Sequence, residues 1–171
     1  MMSQAPQVPI QVDEATGRWS TDGLPMVYVP VHFFLNNHRA IENEIGAERY
    51  AQILYTAGYE SAWTWCEAEA STHGLVGEDV FRHYLDRLSK RGWAKFTVRH
   101  LDPIEARATI EVRNSIFADD SQEESQDYMF TGWFAGAMDQ ITGRRGLAMC
   151  RQVRGETREA EGLFEVARRV Q

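Results

Sequence analysis

The sequence predicts an α+β domain in which helices pack on an antiparallel sheet. Apolar residues recur at helical spacing across much of residues 30–90 and again across 128–142, and they alternate with polar residues across 94–113. The helical and strand segments do not alternate regularly along the chain, which argues against a parallel fold. With 171 residues and 43% hydrophobic content, the chain is long enough to bury one core. We therefore expect a single domain with a mixed α/β architecture.

Residues 1–29 are predicted to form a disordered start, a hairpin and a loop before the first helix. Residues 1–7 offer little to bury and are expected to be disordered. Within residues 8–29, "IQVDEATGRW" predicts a hairpin with its turn at "EATG", and the segment after Trp19 has the composition of a loop. Pro30 fits the first turn of a helix that we expect to end at Gly46.

Two further helices are expected before the first long strands. Residues 47–70 carry apolar positions at helical spacing, and Gly58 is a point at which this helix can bend. The expected apolar stripe is Tyr50, Ile53, Leu54, Ala57, Ser61 and Trp65. The next helix, over residues 78–90, is expected to end before Gly92. Its inward side chains are expected to be Val80, Phe81, Tyr84, Leu85 and Leu88.

The second half of the chain changes to the spacing of strands. "AKFTVRH" and "EARATIEVRN" alternate between apolar and polar residues, and "LDPI" joins them, so an antiparallel pair is expected. The acidic segment "ADDSQEESQD" is expected to be a loop. A helix should follow from Tyr128 to Thr142, with Gly143 ending it. Two last strands, "GLAMCRQV" and "GLFEVAR", complete the expected fold.

Charge and cysteine content exclude some classes of function. A net charge of -7 and a pI near 5.2 argue against nucleic-acid binding, which requires a clustered basic surface. No apolar run is long enough to span a membrane, and the N-terminus does not resemble a signal peptide. Cys66 and Cys150 form neither a CxxC pair nor a disulfide framework, so a cytoplasmic location is expected.

The motifs of common catalytic and cofactor sites are absent from the sequence. Cys150 lies among apolar neighbours in an expected strand, which favours a buried, inert thiol. The five histidines show no HxH or HxxxH spacing. His83, between Phe81 and Tyr84, is either a boundary histidine or a ligand contact. Neither GxGxxG nor a Walker-type loop occurs, and the acidic loop lacks calcium-site spacing. We expect no cofactor and no catalytic residue.

The segment "WFAGAM" combines large rings with small residues. Ala135, Gly136 and Ala137 allow a second element to approach one side of the helix. Trp133, Phe134 and Met138 then line either a dense core or an apolar cavity on the other side.

Several strings together resemble the 4-vinyl reductase (hydrocarbon-binding) domain family, which includes the ligand-sensing domains of phenol- and xylene-responsive activators. These are "IGAERYAQILYTAGYESAW", "RGWAKFTV", "VRNSIFA" and "GWFAGAMDQITGRRG". The resemblance covers roughly residues 30–168, so residues 30–171 are expected to form the ligand-binding domain. It implies a fold similar to vesicle-tethering subunits and nitric-oxide sensors, usually dimeric, with an apolar cavity between helices and sheet.

Two features depart from the phenol sensors of this family: one pocket residue and the set of zinc ligands. The tryptophan that precedes their "RNS" string is Val112 here. Their structural zinc ligands correspond to Asp127, Cys150, Val153 and Glu161, which do not make a closed soft-ligand set. No structural zinc is expected, and Asp127, Cys150 and Glu161 are candidates only for incidental metal binding.

These observations predict a non-catalytic sensor or carrier of a small, largely apolar or aromatic molecule, in which Asn114 orients the ligand by hydrogen bonding. The expected site residues are Phe81, Tyr84, Trp93, Phe96, Val112, Asn114, Phe130, Trp133, Phe134 and Met138. The expected partners are this ligand, a second copy of the chain and a possible partner enzyme, with no nucleic acid and no membrane. Two alternatives stay open. One is an accessory subunit of a catabolic enzyme, for example in methylated-amine degradation, or a reductase-related enzyme; the other is a pure dimerisation or interaction module.

Overall fold

The computed structural model describes residues 8–117, 128–153 and 162–170. The elements in chain order are β1 (Gln11–Asp13), β2 (Arg18–Thr21), β3 (Leu24–Met26), α1 (Val31–Ile45), α2 (Ala47–His73), α3 (Glu78–Lys90), β4 (Lys95–Asp102), β5 (Arg107–Arg113), α4 (Tyr128–Thr142), β6 (Ala148–Val153) and β7 (Gly162–Arg168). The α+β class and its helices on an antiparallel sheet are thus confirmed. The expected disordered segment 1–7 and the acidic loop 118–127 lie outside the described residues.

The main sheet has four antiparallel strands in the order β4-β5-β7-β6. Its first pair is the predicted hairpin, in which Phe96 lies opposite Val112. In β5 the side chains of Ala108, Ile110 and Val112 are buried, as the predicted alternation requires. Glu111, between Ile110 and Val112, accepts hydrogen bonds from the guanidinium groups of Arg99 and Arg113.

The N-terminal segment forms three strands where the sequence predicted a hairpin followed by a loop. β2 and β3 pair through Thr21 opposite Leu24. Asp22 and Gly23 form the two-residue turn, with φ of 53° and 77°. Asp-Gly is the preferred pair for such a turn because both residues tolerate positive φ. The loop prediction for this segment was therefore wrong, and β1-β2-β3 form a separate small sheet.

The long helix α2 runs unbroken to His73 and ends at Gly74, which adopts the left-handed conformation at φ 65°. Its buried face differs from the predicted stripe, because Ile53 is 47% exposed. The buried face includes several small residues; its members are Tyr50, Ala51, Gly58, Ala62, Cys66 and Glu69. Gly58 does not end or divide the helix and instead faces α4.

Helix α4 is buried at every position from Phe130 to Asp139. One side packs on α2 through glycines. A Cβ added at Gly132 would lie 2.9 Å from the Tyr59 nitrogen and nearer still to the Tyr55 carbonyl oxygen. Gly136 meets the Tyr59 backbone in the same way. Because the small residues occupy the α2 side, the large rings of α4 project toward the rest of the core.

Candidate functional site

Five aromatic rings form the centre of the core, between α4 and the main sheet. Phe96 on β4 meets Phe130 and Phe134 edge-on, with ring centroids 5.2 and 5.8 Å apart. Trp133 lies 5.1 Å from Phe130. Phe164 on β7, which sequence reasoning missed, meets Phe134 at 5.3 Å. We call these five residues the aromatic cluster; four of them were predicted site residues.

The aromatic cluster extends toward the surface through Trp93. This half-buried indole contacts Trp133 edge-on at 5.0 Å between ring centroids. Phe34 on α1 in turn meets Trp93 at 5.4 Å. Phe117, just after β5, lies 5.5 Å from Phe130. The sequence does not predict Phe34 or Phe117 as site residues, because no local pattern indicates which distant segments pack over a helix.

The predicted residues of α3 form a second group within the same core. Phe81 and Tyr84 are fully buried. The Tyr84 ring meets Trp65 of α2 edge-on at 5.7 Å. Within the part of the chain that the structure describes, the Tyr84 hydroxyl has no hydrogen-bond partner. Burial, and to a lesser extent the neighbouring Cys66, raises the pKa of Tyr84 well above its usual range, so this hydroxyl remains a donor.

Arg91, at the end of α3, provides further buried polar atoms and contacts the same Trp65 ring that Tyr84 meets. Its guanidinium lies over the Trp65 ring at 4.1 Å from the centroid. The Nε and Nη1 atoms are buried without a partner among the described residues. Its positive charge acts electrostatically on Tyr84 and counteracts part of the rise in the pKa of that phenol. A buried donor without a partner costs about 1–3 kcal/mol, so this group of atoms favours an acceptor nearby.

Of the remaining predicted residues, two are in the core and one is outside it. Val112 and Met138 are fully buried. Asn114 is exposed after the end of β5 and has a positive φ of 52°. Asparagine tolerates this conformation, which turns the chain out of the strand. Asn114 is thus exposed at the end of β5, unlike the buried site residues, and its role in orienting a ligand stays a prediction.

The rings of the aromatic cluster contact one another and are not spaced around an open chamber. Centroid separations of 5.1–5.8 Å from Phe130 or Phe96 to their neighbours are those of packed aromatic pairs. The described surface includes a groove of about 590 Å³ lined by Trp19, Met26 and Tyr28, and one of about 810 Å³ on the outer side of α2. Neither groove is lined by the predicted site residues.

Cys150 lies in β6 opposite Val166 and is buried. Burial, together with the negative charge of Glu165, raises the pKa of its thiol well above the usual range. The thiol is therefore protonated at neutral pH, which is unfavourable for nucleophilic attack. Asp127 and Glu161, the other two candidates for incidental metal binding, lie outside the described residues.

Comparisons with known proteins identify similar folds and one family. A family model described as "Domain of unknown function (DUF5943)" matches residues 4–99. No curated protein matches the sequence significantly. Among the described residues, no helix has the length and apolar composition needed to cross a membrane.

Two solved structures are similar in fold. The first is the phenol-responsive sensory domain of the transcription activator PoxR, crystallised with phenol. It is 10% identical, has a TM-score of 0.75 and matches over 93% of this chain and 84% of that chain. The second is trafficking protein particle complex subunit 3 from Naegleria fowleri, covalently bound to palmitic acid, at 10% identity and a TM-score of 0.53. It matches over 82% of this chain and 95% of that chain.

Proposed function

Because the chain belongs to the DUF5943 family and folds like a phenol-responsive sensory domain, we propose that it is a non-catalytic sensor or carrier of a small, largely apolar or aromatic molecule. The observation that carries this proposal is the fully buried Tyr84 hydroxyl, which has no partner among the described residues. A ligand oxygen that accepts from this hydroxyl would remove the cost of its burial. The resemblance of residues 30–168 to 4-vinyl reductase domains agrees with such a role.

The proposed ligand lies between α3 and the aromatic cluster. Its polar end accepts from Tyr84, and its apolar part contacts Phe96, Phe130 and Val112. Phe81, Trp93, Trp133, Phe134 and Met138 complete the proposed site. Apolar contact of this kind contributes about 25 cal/mol for each Å² removed from water. The chemistry that fits is an aromatic ring or short apolar chain with one oxygen acceptor.

Ligand entry requires the core to rearrange, because the rings of the aromatic cluster touch one another. The Trp93 and Phe34 pair is the proposed entrance, since both rings are only partly buried. Rotation of these two side chains leaves the backbone of α4 in place. Side-chain rotation of this extent is common when proteins bind ligands. The two free cysteines are buried, and a reducing cytoplasm is the setting that we propose.

The test is titration of the full chain with phenol, with benzene as a probe that has the ring but not the hydroxyl. We expect phenol to raise Tm. Tyr84→Phe should weaken phenol binding about tenfold, equivalent to about 1.4 kcal/mol, and leave benzene binding unchanged. Tyr28→Phe is the matched control, because Tyr28 is 83% exposed. Trp133→Ala should weaken the binding of both probes.

Native mass spectrometry of the gently purified protein provides an independent measurement. A retained small molecule that is lost from Tyr84→Phe would support the proposal. The proposal is wrong if neither probe binds and no small molecule is retained.

A second candidate function is homodimerisation through the N-terminal apolar surface. Val27, Tyr28 and Phe33 are 80%, 83% and 61% exposed, and α1 has no buried residue. Apolar surface of this kind marks interaction sites in soluble proteins. Light scattering should then give twice the 19.6 kDa of one chain. A mass of one chain at every concentration would eliminate this candidate.

A further inference from the structure

A carboxylate and two imidazoles meet where α2 packs on α3, away from the aromatic cluster. Glu69 and His73 are four residues apart on α2, which places them on one helix face. His83 comes from α3. The Glu69 side chain is fully buried, whereas those of His73 and His83 are 30% and 23% exposed. The three residues therefore form a group that is buried at Glu69 and open to solvent at the two histidines.

The ligand-capable atoms of these residues converge on one point. Glu69 Oε2 lies 2.6 Å from His83 Nε2 and 3.2 Å from His73 Nε2. All three residues offer ligand atoms within 4.8 Å of one another. Asp22, in the turn between β2 and β3, places Oδ1 3.4 Å from His73 Nε2. Zinc bonds of about 2.0–2.2 Å in a tetrahedral site separate ligand atoms by roughly 3.3–3.6 Å.

We propose that Glu69, His73 and His83 form a site for a divalent transition metal of the zinc class. Imidazole and carboxylate are the ligands that such cations take, and three protein ligands leave a fourth position for water. The 3.2 Å between His73 Nε2 and Glu69 Oε2 is already close to the separation of ligand atoms in a tetrahedral zinc site. The His83 to Glu69 separation must widen by less than about 1 Å, a movement that its partly exposed side chain permits.

The carboxylate of Glu69 is held in the orientation that such a site needs. The Trp65 indole Nε1 donates to Glu69 Oε1 at 2.7 Å. This bond occupies one carboxylate oxygen and directs the other, Oε2, toward both histidines. Outer contacts that orient a ligand in this way are typical of metal sites.

The surrounding charges affect how tightly the site can bind a cation. Arg87 and Arg91 donate to Asp22 at 3.2 and 3.4 Å, and Arg91 lies 3.6 Å from Glu69. The two guanidinium groups thus balance the two carboxylates, and a divalent cation adds net positive charge. Arg87 Nε also lies 3.3 Å from His83 Nε2 and competes for that atom. Removing the charge of Arg87 should therefore tighten metal binding.

The experiment is calorimetric titration of the full, metal-stripped chain with Zn²⁺, repeated with Co²⁺ as a spectroscopic probe of tetrahedral ligation. His73→Ala and His83→Ala should each weaken binding at least tenfold. His100→Ala is the matched control, because His100 is an exposed histidine on β4, and it should bind as the unmodified chain does. Arg87→Met should bind more tightly.

Circular dichroism of each variant verifies that it is folded, and His73→Ala, at the more exposed position, provides the test if His83→Ala is unstable. The proposal is wrong if the chain does not bind Zn²⁺, or if the His73 and His83 variants bind it as tightly as the His100 variant. Arg87→Met binding no more tightly than the unmodified chain would also contradict the assigned position of the cation.

Discussion

Replacing Gly132 by alanine tests the close packing of α4 on α2. The added Cβ would lie 2.9 Å from the Tyr59 nitrogen and closer still to the Tyr55 carbonyl oxygen, whereas ordinary contacts of such atoms begin at 3.4 Å. The opposing atoms belong to backbone, so they cannot rotate away as a flexible side chain does. Relief of the overlap requires the two helices to separate.

The expected magnitude follows from two opposing contributions. Overpacking a core costs about 1–3 kcal/mol, and a backbone clash belongs at the upper end of that range. Alanine in place of glycine within a helix returns about 1 kcal/mol of helix propensity. We therefore expect Gly132→Ala to lower the free energy of unfolding by about 2 kcal/mol, and Tm by about 4–8 °C for a chain of this length.

Urea unfolding followed by circular dichroism measures this change, and related variants define its cause. Gly136→Ala should resemble Gly132→Ala. Gly58→Ala should cost less, because its Cβ would lie 2.6 Å from the Met129 oxygen, farther than the added Cβ of Gly132 lies from the Tyr55 oxygen. Ala57→Gly, at an exposed position of α2, measures helix propensity alone. If Gly132→Ala is as stable as the unmodified chain or more stable, the helices are not in backbone contact and the packing argument is refuted.

Two further predictions concern the turn between α4 and β6 and the thiols. Asp139 accepts hydrogen bonds from the Ala148 nitrogen at 2.7 Å and the Tyr59 hydroxyl at 2.6 Å. Burial and the hydrogen bond to Asp139 raise the pKa of Tyr59 to about 12. Because the pKa of Tyr59 is higher in the folded chain than in the unfolded chain, the free energy of unfolding should fall as pH rises from about 10 to 12. An equal fall in the Tyr59→Phe variant would contradict this assignment. Burial raises the pKa of the Cys66 and Cys150 thiols. A thiol reagent at pH 8 should therefore modify neither cysteine in the folded chain and both after denaturation. Rapid modification of the folded chain would contradict the assigned burial.

Sequence periodicity was sufficient for the elements whose pattern is strong. It predicted α3, the β4 and β5 hairpin and α4 with nearly the observed bounds, because each has one apolar face or a fully apolar run. It failed for β3, a three-residue strand whose signal is the Asp22 and Gly23 turn and not its own side chains. It gave the buried face of α2 only in part: Tyr50 is buried as predicted, whereas Ile53 and Ala57 are exposed, since the residues facing α4 there are small and weakly hydrophobic.

The candidate site could be predicted only in part for a related reason. Periodicity identifies the inward face of an element but not which other faces it meets. Four cluster rings were therefore predicted, whereas Phe164 and Phe34 come from distant segments. The group of Glu69, His73 and His83 was missed because two helices contribute to it. Its only local signal is the spacing of four residues between Glu69 and His73, which occurs on many solvent-exposed helices.

The backbone contact between α2 and α4 has a consequence for how the interior can admit a guest molecule. With no side chains between them at Gly132 and Gly136, the two helices have no compressible layer and move as one body. Any expansion of the interior must then come from the opposite wall, where α1, α3 and the strands pack through side chains. A bound molecule would consequently shift those elements relative to a fixed helical pair.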